Sequence, residues 1–87
     1  MKAVITVIGS DKIGIIAALT ALLAKRGVNI LDISQTIMQE LFTMIMMVDL
    51  CGASFDSLRE ELLALGGEIG VDIRLQNTEI FEAMHRI

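Results

Sequence analysis

Asp11-Lys12-Ile13-Gly14-Ile15 stands between an alternating apolar stretch, Lys2 to Ile8, and a helical apolar stretch that runs to about Arg26. A strand-to-helix turn that closes on glycine exposes backbone N–H groups at a helix N-terminus, where a small anionic group can dock. Upstream, Ala3, Ile5 and Val7 form one face and Val4, Thr6 and Ile8 the other, so this strand is expected to lie inside its sheet. Downstream, Ser10 or Asp11 can cap the helix and Gly27 stops it. Ile15, Leu19, Leu22 and Leu23 make its core face, while Ala17, Ala21 and Ala24 make a bland outer one. Gly27-Val28-Asn29-Ile30 then returns the chain into a second strand.

The remainder reads in the same terms. Asn29 to Leu50 divides into two strands around a turn at Gln39-Glu40. The first alternates Leu31, Ile33 and Ile37 against Asp32, Ser34 and Thr36, a half-exposed pattern. The second, Phe42 to Leu50, carries Met44 and Met46 on one face and Ile45 and Met47 on the other, and is expected to be central. The turn lacks the Asn-Gly signal of a two-residue hairpin, which leaves the register open. Ser54 to Leu65 is a helix, with Phe55, Leu58, Leu62 and Leu65 at helical spacing, Asp56 in its first turn and Gly66-Gly67 at its end. Val71, Ile73 and Leu75 alternate with Asp72, Arg74 and Gln76 as a strand buried on one face. Asn77 can cap a short final helix lined by Ile80, Phe81, Met84 and Ile87.

The order is therefore βαββαβ with a C-terminal helix. Right-handed crossovers around a hairpin place strands one and three in the centre, two and four at the edges, and both helices on one face. The apolar pattern agrees, since strands one and three are apolar on both faces and two and four on one. The fold class is an α+β ferredoxin-like sandwich. The expected organisation is one domain over residues 1–87, with a core over 1–76 and a helical tail over 77–87. Two consequences follow. The face carrying Val4, Ile8, Ile45 and Met47 needs cover from the tail or a partner. Strand two, an edge, leaves unpaired backbone groups along Leu31 to Met38 that invite a second copy.

Composition points the same way. The chain has 87 residues, is 54% hydrophobic and contains no proline; its mean hydropathy is +0.69. A domain of this size buries only about two-thirds of its unfolded surface, so part of that apolar content is expected to be covered by another subunit. No membrane is expected as partner: the uncharged run Ile13 to Ala24, bounded by Lys12 and Lys25-Arg26, falls short of the ~20 residues a spanning helix needs. The first apolar stretch ends in Gly9-Ser10-Asp11 rather than in a signal cleavage site. A single cysteine, Cys51, precludes an internal disulfide, and the expected setting is cytoplasmic. A net charge of −4 and three aromatic residues, all Phe, argue against a nucleic-acid partner.

Catalytic chemistry is sparse. His85 lies near the end of the sequence, and Cys51 has no histidine or lysine near it in sequence to activate it, so it reads as a small buried residue. No Cys-x-x-Cys, His-x-x-x-His or carboxylate cluster at metal spacing occurs, and neither a cofactor nor a metal is expected. The methionines at 44, 46 and 47 read as strand-core packing. Binding chemistry is richer. Asp11 is either a helix cap or a carboxylate for the ammonium of an amino acid whose own carboxylate takes the helix N–H groups. Gly14 either lets helix and strand pack closely or lets a ligand approach the backbone. Asn29 is either a turn residue or an amide offering donor and acceptor to a zwitterion. Opposite ends of one helix lie ~20 Å apart, so Asp11 and Asn29 can share a ligand only across a subunit boundary.

The strand Val4 to Ile8, the turn Gly9-Ser10-Asp11-Lys12-Ile13-Gly14-Ile15 and the corner Gly27-Val28-Asn29-Ile30 resemble the ACT domain family along the whole chain. Asp32-Ile33-Ser34-Gln35-Thr36 and Ile80-Phe81-Glu82-Ala83-Met84 are similar to stand-alone single-ACT proteins of bacteria and archaea. The chain is also similar to the amino-terminal ACT half of glycine-cleavage transcriptional regulators. The resemblance implies a non-catalytic regulatory module that dimerises through strand two. An amino acid would sit between the first turn of one subunit (Asp11, Ile13, Gly14) and the corner of the other (Asn29, Ile30). Where many ACT domains have proline just before the turn glycine, this chain has Ile13, which leaves the loop less rigid. A sensed signal is expected to pass to a separate regulated protein. The competing expectation is a structural protein–protein interaction module without a ligand, in which the two turns act only as caps.

Overall fold

The computed structural model describes residues 1–10 and 14–78. Strand β1 spans Lys2–Ser10, helix α1 Ile15–Lys25, β2 Asn29–Met38, β3 Leu41–Asp49, α2 Phe55–Ile69 and β4 Asp72–Asn77. The four strands form one antiparallel sheet in the order β2-β3-β1-β4. The expected βαββαβ topology holds, with β1 and β3 inside and β2 and β4 at the edges. The expected final helix lies outside the described residues.

Both helices cover the same face. Ile15, Leu19 and Leu23 of α1 and Leu58 and Leu62 of α2 join Ala3, Ile5, Val7, Met44, Met46, Ile73 and Leu75 in one buried cluster. The methionines at 44 and 46 are fully buried there, whereas Met47, on the opposite face, is half-buried. On that opposite face Val4 is fully buried while Ile8 and Ile45 stay exposed.

The two helix ends show how local chemistry and packing divide the work. Helix α1 ends as the sequence implies: Arg26 is the C-cap, Gly27 follows at φ 71, Gly27 N–H donates to Ala24 at 3.1 Å and Val28 N–H to Leu23 at 2.9 Å. That reciprocal pair satisfies carbonyls the helix would otherwise leave open, and buried Val28 seats the exit against the core. Helix α2 departs from expectation. It runs through Gly66 and Gly67 to Ile69 and stops only at Gly70, φ 77. Gly66 serves a close approach instead of a stop: a Cβ there would lie 2.6 Å from the Val71 carbonyl oxygen. The chain turns back under α2 at that point, with Gly70 and Val71 N–H groups both donating to the Gly66 carbonyl at 2.8 and 2.9 Å.

Two more expectations are corrected. Ser10 does not cap α1, because it is still paired with Leu41 as the last residue of β1; the helix begins later, with Gly14 as N-cap. Cys51 is exposed, not buried, in a turn at φ 51 just past β3. The hairpin register that the sequence left open is set by a two-residue loop: Met38 pairs with Leu41, and Gln39 adopts φ 57 to turn the chain.

Candidate functional site

Among the expected site residues, Asp11 and Ile13 lie outside the described residues. Gly14 is the N-cap of α1 at φ 92, a conformation open to glycine at little cost, and nothing lies within 4 Å of where its side chain would begin. It has no side chain to offer the first-turn N–H groups, and the first turn contains no acidic residue. Among the described residues, the N-terminal end of α1 therefore presents its partial positive charge with no carboxylate in its first turn.

Asn29 opens β2. It is exposed and pairs with Asp49, while Ile30 is half-buried opposite Val48. The ladder fixes how far these two regions are apart. Asn29 and Asp49 align with Lys2 at one end of the sheet, whereas Met38 and Leu41 align with Ser10 at the other. Nine residues of β1 span that length, roughly 26 Å at the rise of a strand. Gly14 comes only four residues after Ser10 and α1 runs back from it toward Asn29, so one chain keeps Gly14 and Asn29 at opposite ends. Concavities of 490 and 320 Å³ run along α2 and β4, sharing Arg59, Leu75 and Gln76, and neither is lined by Gly14, Asn29 or Ile30.

The sequence reading does not single out Asp49, which shares the Asn29 end of the sheet. Its carboxylate accepts from the Cys51 N–H at 3.1 Å and lies 3.4 Å from the amino terminus. The Cys51 N–H first, with the charges of the amino terminus and Lys2 adding to it, holds this carboxyl below the ordinary carboxylate range. Only its distance of two residues from the Cys51-Gly52 turn hints at this in sequence. Among the described residues no three His, Cys, Asp or Glu side chains cluster as metal ligands would.

The edge strand is the largest surprise. Its alternating pattern implies one buried face, yet Leu31, Ile33, Ile37 and Met38 are 45%, 44%, 55% and 68% exposed. Ile33 and Ile37 pair across from Met46 and Phe42, which are core residues, so they lie on the helix side of the sheet and remain uncovered there. A register shift between Ile30 and Asp32 bulges the strand at Leu31. The other edge is different. In β4 the apolar Ile73 and Leu75 are buried, and the exposed positions carry Asp72 and Arg74, ion-paired at 3.2 Å.

A family model for the ACT domain matches residues 2–76. The chain belongs to the ACT domain family. Over 89 aligned residues it is 56% identical to a UPF0237 protein of Clostridium acetobutylicum, with 100% of each chain covered. Among solved structures it is similar to an ACT domain protein from Streptococcus pneumoniae, with a TM-score of 0.83, 46% identity and 94% of each chain covered. It is also similar to a protein assigned as a glycine cleavage system transcriptional repressor, with a TM-score of 0.80 and 25% identity, over 88% of this chain and 45% of that one. ACT domains are in general regulatory modules, and this one adds no described helix long and apolar enough to cross a membrane.

Proposed function

We propose that this ACT domain is a non-catalytic regulatory module that binds an amino acid as a homodimer, in a cytoplasmic setting, and passes the signal to a separate protein. The carrying observation is the pairing of an uncovered apolar edge, β2, with a ladder that sets Gly14 and Asn29 at opposite ends of one chain. Antiparallel pairing of two β2 edges reverses that separation. The Asn29–Ile30 corner of one copy then comes to the end of the sheet where Ser10 leads to Gly14 in the other. The α1 N-terminus, with Gly14 as cap, offers N–H groups to the ligand carboxylate. The Asn29 amide, with Ile30 beside it, offers its oxygen as acceptor to the ammonium end and keeps its N–H groups for the ligand's carboxylate. Asp11 and Ile13 complete the first turn in this reading.

Edge chemistry favours β2 over β4 as the joint. Exposed charges on an edge strand discourage pairing: the exposed positions of β4 are Asp72 and Arg74, with its apolar Ile73 and Leu75 buried, whereas the exposed positions of β2 include the apolar Ile33 and Ile37. The test has two parts. Light scattering is expected to give the mass of a dimer, and calorimetry against each common amino acid at millimolar concentration is expected to find one that releases heat. Asn29→Ala is expected to lose that heat while keeping the dimer. A dimer that answers to no amino acid would instead support a structural interaction module, and a stable monomer would remove the shared pocket altogether.

A further inference from the structure

We infer that two copies of β2 pair in one register, centred on Gln35, and that the bulge at Leu31 ends the paired segment. This rests on the side-by-side dimer proposed above and specifies which residues meet in it. The first observation is a hydrogen bond. The Ile33 N–H donates to the Asp32 carboxylate at 2.9 Å, away from the β3 ladder. In an antiparallel ladder alternate residues direct both main-chain groups inward and outward. Ile33, Gln35 and Ile37 therefore present their N–H and C=O groups at the free edge, while Ser34 and Thr36 spend theirs on β3.

The second observation is the sequence about that midpoint. Ile33-Ser34-Gln35-Thr36-Ile37 reads nearly the same in both directions, which is what a twofold axis at Gln35 requires. On the helix side of the sheet, Ile33 faces Ile37 of the second copy, Gln35 faces itself and Ile37 faces Ile33. On the other side, Ser34 faces Thr36. Ile33 and Ile37, left 44% and 55% exposed in one chain, meet each other, and each outward main-chain group from Ile33 to Ile37 meets a partner. A twofold axis at Thr36 would set Gln35 against Ile37 twice. An axis at Ser34 would run the pairing into the bulge at Leu31. Both leave fewer matched pairs and an amide facing an aliphatic side chain.

The bulge and the Asp32 carboxylate act together as a stop. Asp32 occupies the last outward N–H before the bulge, so a partner strand must displace it to complete the Ile33–Ile37 pair. Beyond that point the Asn29–Ile30 corner runs alongside the Gln39–Glu40 turn of the other copy without joining the ladder. The stop thus leaves the corner's polar groups unpaired and available to a ligand.

Cysteine scanning in a Cys51→Ser background reads the register directly. Residues facing each other across a hydrogen-bonded antiparallel pair have Cα atoms about 5.5 Å apart, within reach of a disulfide. Under mild oxidation Gln35→Cys is expected to shift to twice the chain mass on a non-reducing gel, while Ser34→Cys and Thr36→Cys stay at one. Mixing Ile33→Cys and Ile37→Cys chains is expected to give a mixed disulfide that neither forms alone, which keeps the test decisive if the Gln35 variant folds poorly. Cross-linking at 34 or 36 in preference to 35, in a protein that light scattering shows to be a dimer, overturns the register and leaves the shared-pocket reading standing. A monomer overturns both.

Discussion

Alanine at Gly67 is expected to stabilise this protein, and alanine at the adjacent Gly66 to destabilise it. Both glycines lie inside α2, where exchanging glycine for alanine gains about 0.8–1.0 kcal/mol of helix propensity. At Gly67 nothing lies within 4 Å of the new methyl group, so the gain is unopposed. At Gly66 the methyl would sit 2.6 Å from the Val71 oxygen and 3.3 Å from the Ile73 nitrogen. Both are main-chain atoms, so no side chain can swing aside. Either α2 lifts from β4, at the ~1–3 kcal/mol of an overpacked contact, or the Val71 N–H bond to Gly66 is lost, at about 1 kcal/mol. Set against the propensity gain, the net is a loss of up to roughly 2 kcal/mol at Gly66, setting the neighbouring variants about 1–3 kcal/mol apart. Urea unfolding followed by circular dichroism, at one fixed chain concentration, measures this. In a domain of this size each kcal/mol also moves Tm by about 4–8 °C. If Gly67→Ala is the more damaged variant, the helix ends at Gly66 and the packing argument is wrong.

Three other outcomes test the remaining features. Asp49 has a depressed carboxyl pKa, so its contribution to stability is complete above the ordinary value of about 3.9 and is lost as pH falls through the lower folded value. Asp49→Asn should therefore flatten the acid side of the stability–pH curve below pH ~4, and an unchanged acid limb would refute the role of the Cys51 N–H. Cys51 should react with a thiol reagent at the rate of an exposed cysteine without prior unfolding, since it is exposed in its turn; a thiol that reacts only in urea would restore the buried reading. Ile37→Lys should convert a dimer to a monomer while changing the stability of the isolated fold by no more than about 0.5 kcal/mol, the usual range at an exposed position. Light scattering with a denaturation curve separates those two effects.

Legibility followed the range of the forces involved. The element order, the central places of β1 and β3 and the core faces of both helices depend on residues a few positions apart, and these were readable. Ile15, Leu19 and Leu23 declare a helix face because 3.6-residue periodicity is local, and Gly27 declares its stop because a left-handed residue satisfies carbonyls one turn back. The misreadings came from distant contacts. Gly66-Gly67 looks like a stop until β4 is known to pass beneath Gly66. Ser10 looks like a cap until its pairing with Leu41 is known. Cys51 looks like a core residue because its type is usually buried, and only the turn after β3 brings it out. Within the candidate site, Gly14 and Asn29 were legible as special positions, but their separation was legible only as a helix length.

The sequence by itself determined a βαββαβ order, a sheet with β2 and β4 at its margins, two polar turns at the ends of α1 and membership of the ACT family. The first three follow from periodicity, turn chemistry and connection rules that act along the chain, and the last from the resemblance of the Gly9–Ile15 turn and the Gly27–Ile30 corner to that family. Only the tertiary structure decided that the apolar side chains of β2 stay uncovered on the helix side, that Leu31 bulges and that the Ile33 N–H turns outward. Those depend on how far two helices extend across four strands and on how β2 meets β3, and neither quantity is written in the spacing of residues along β2.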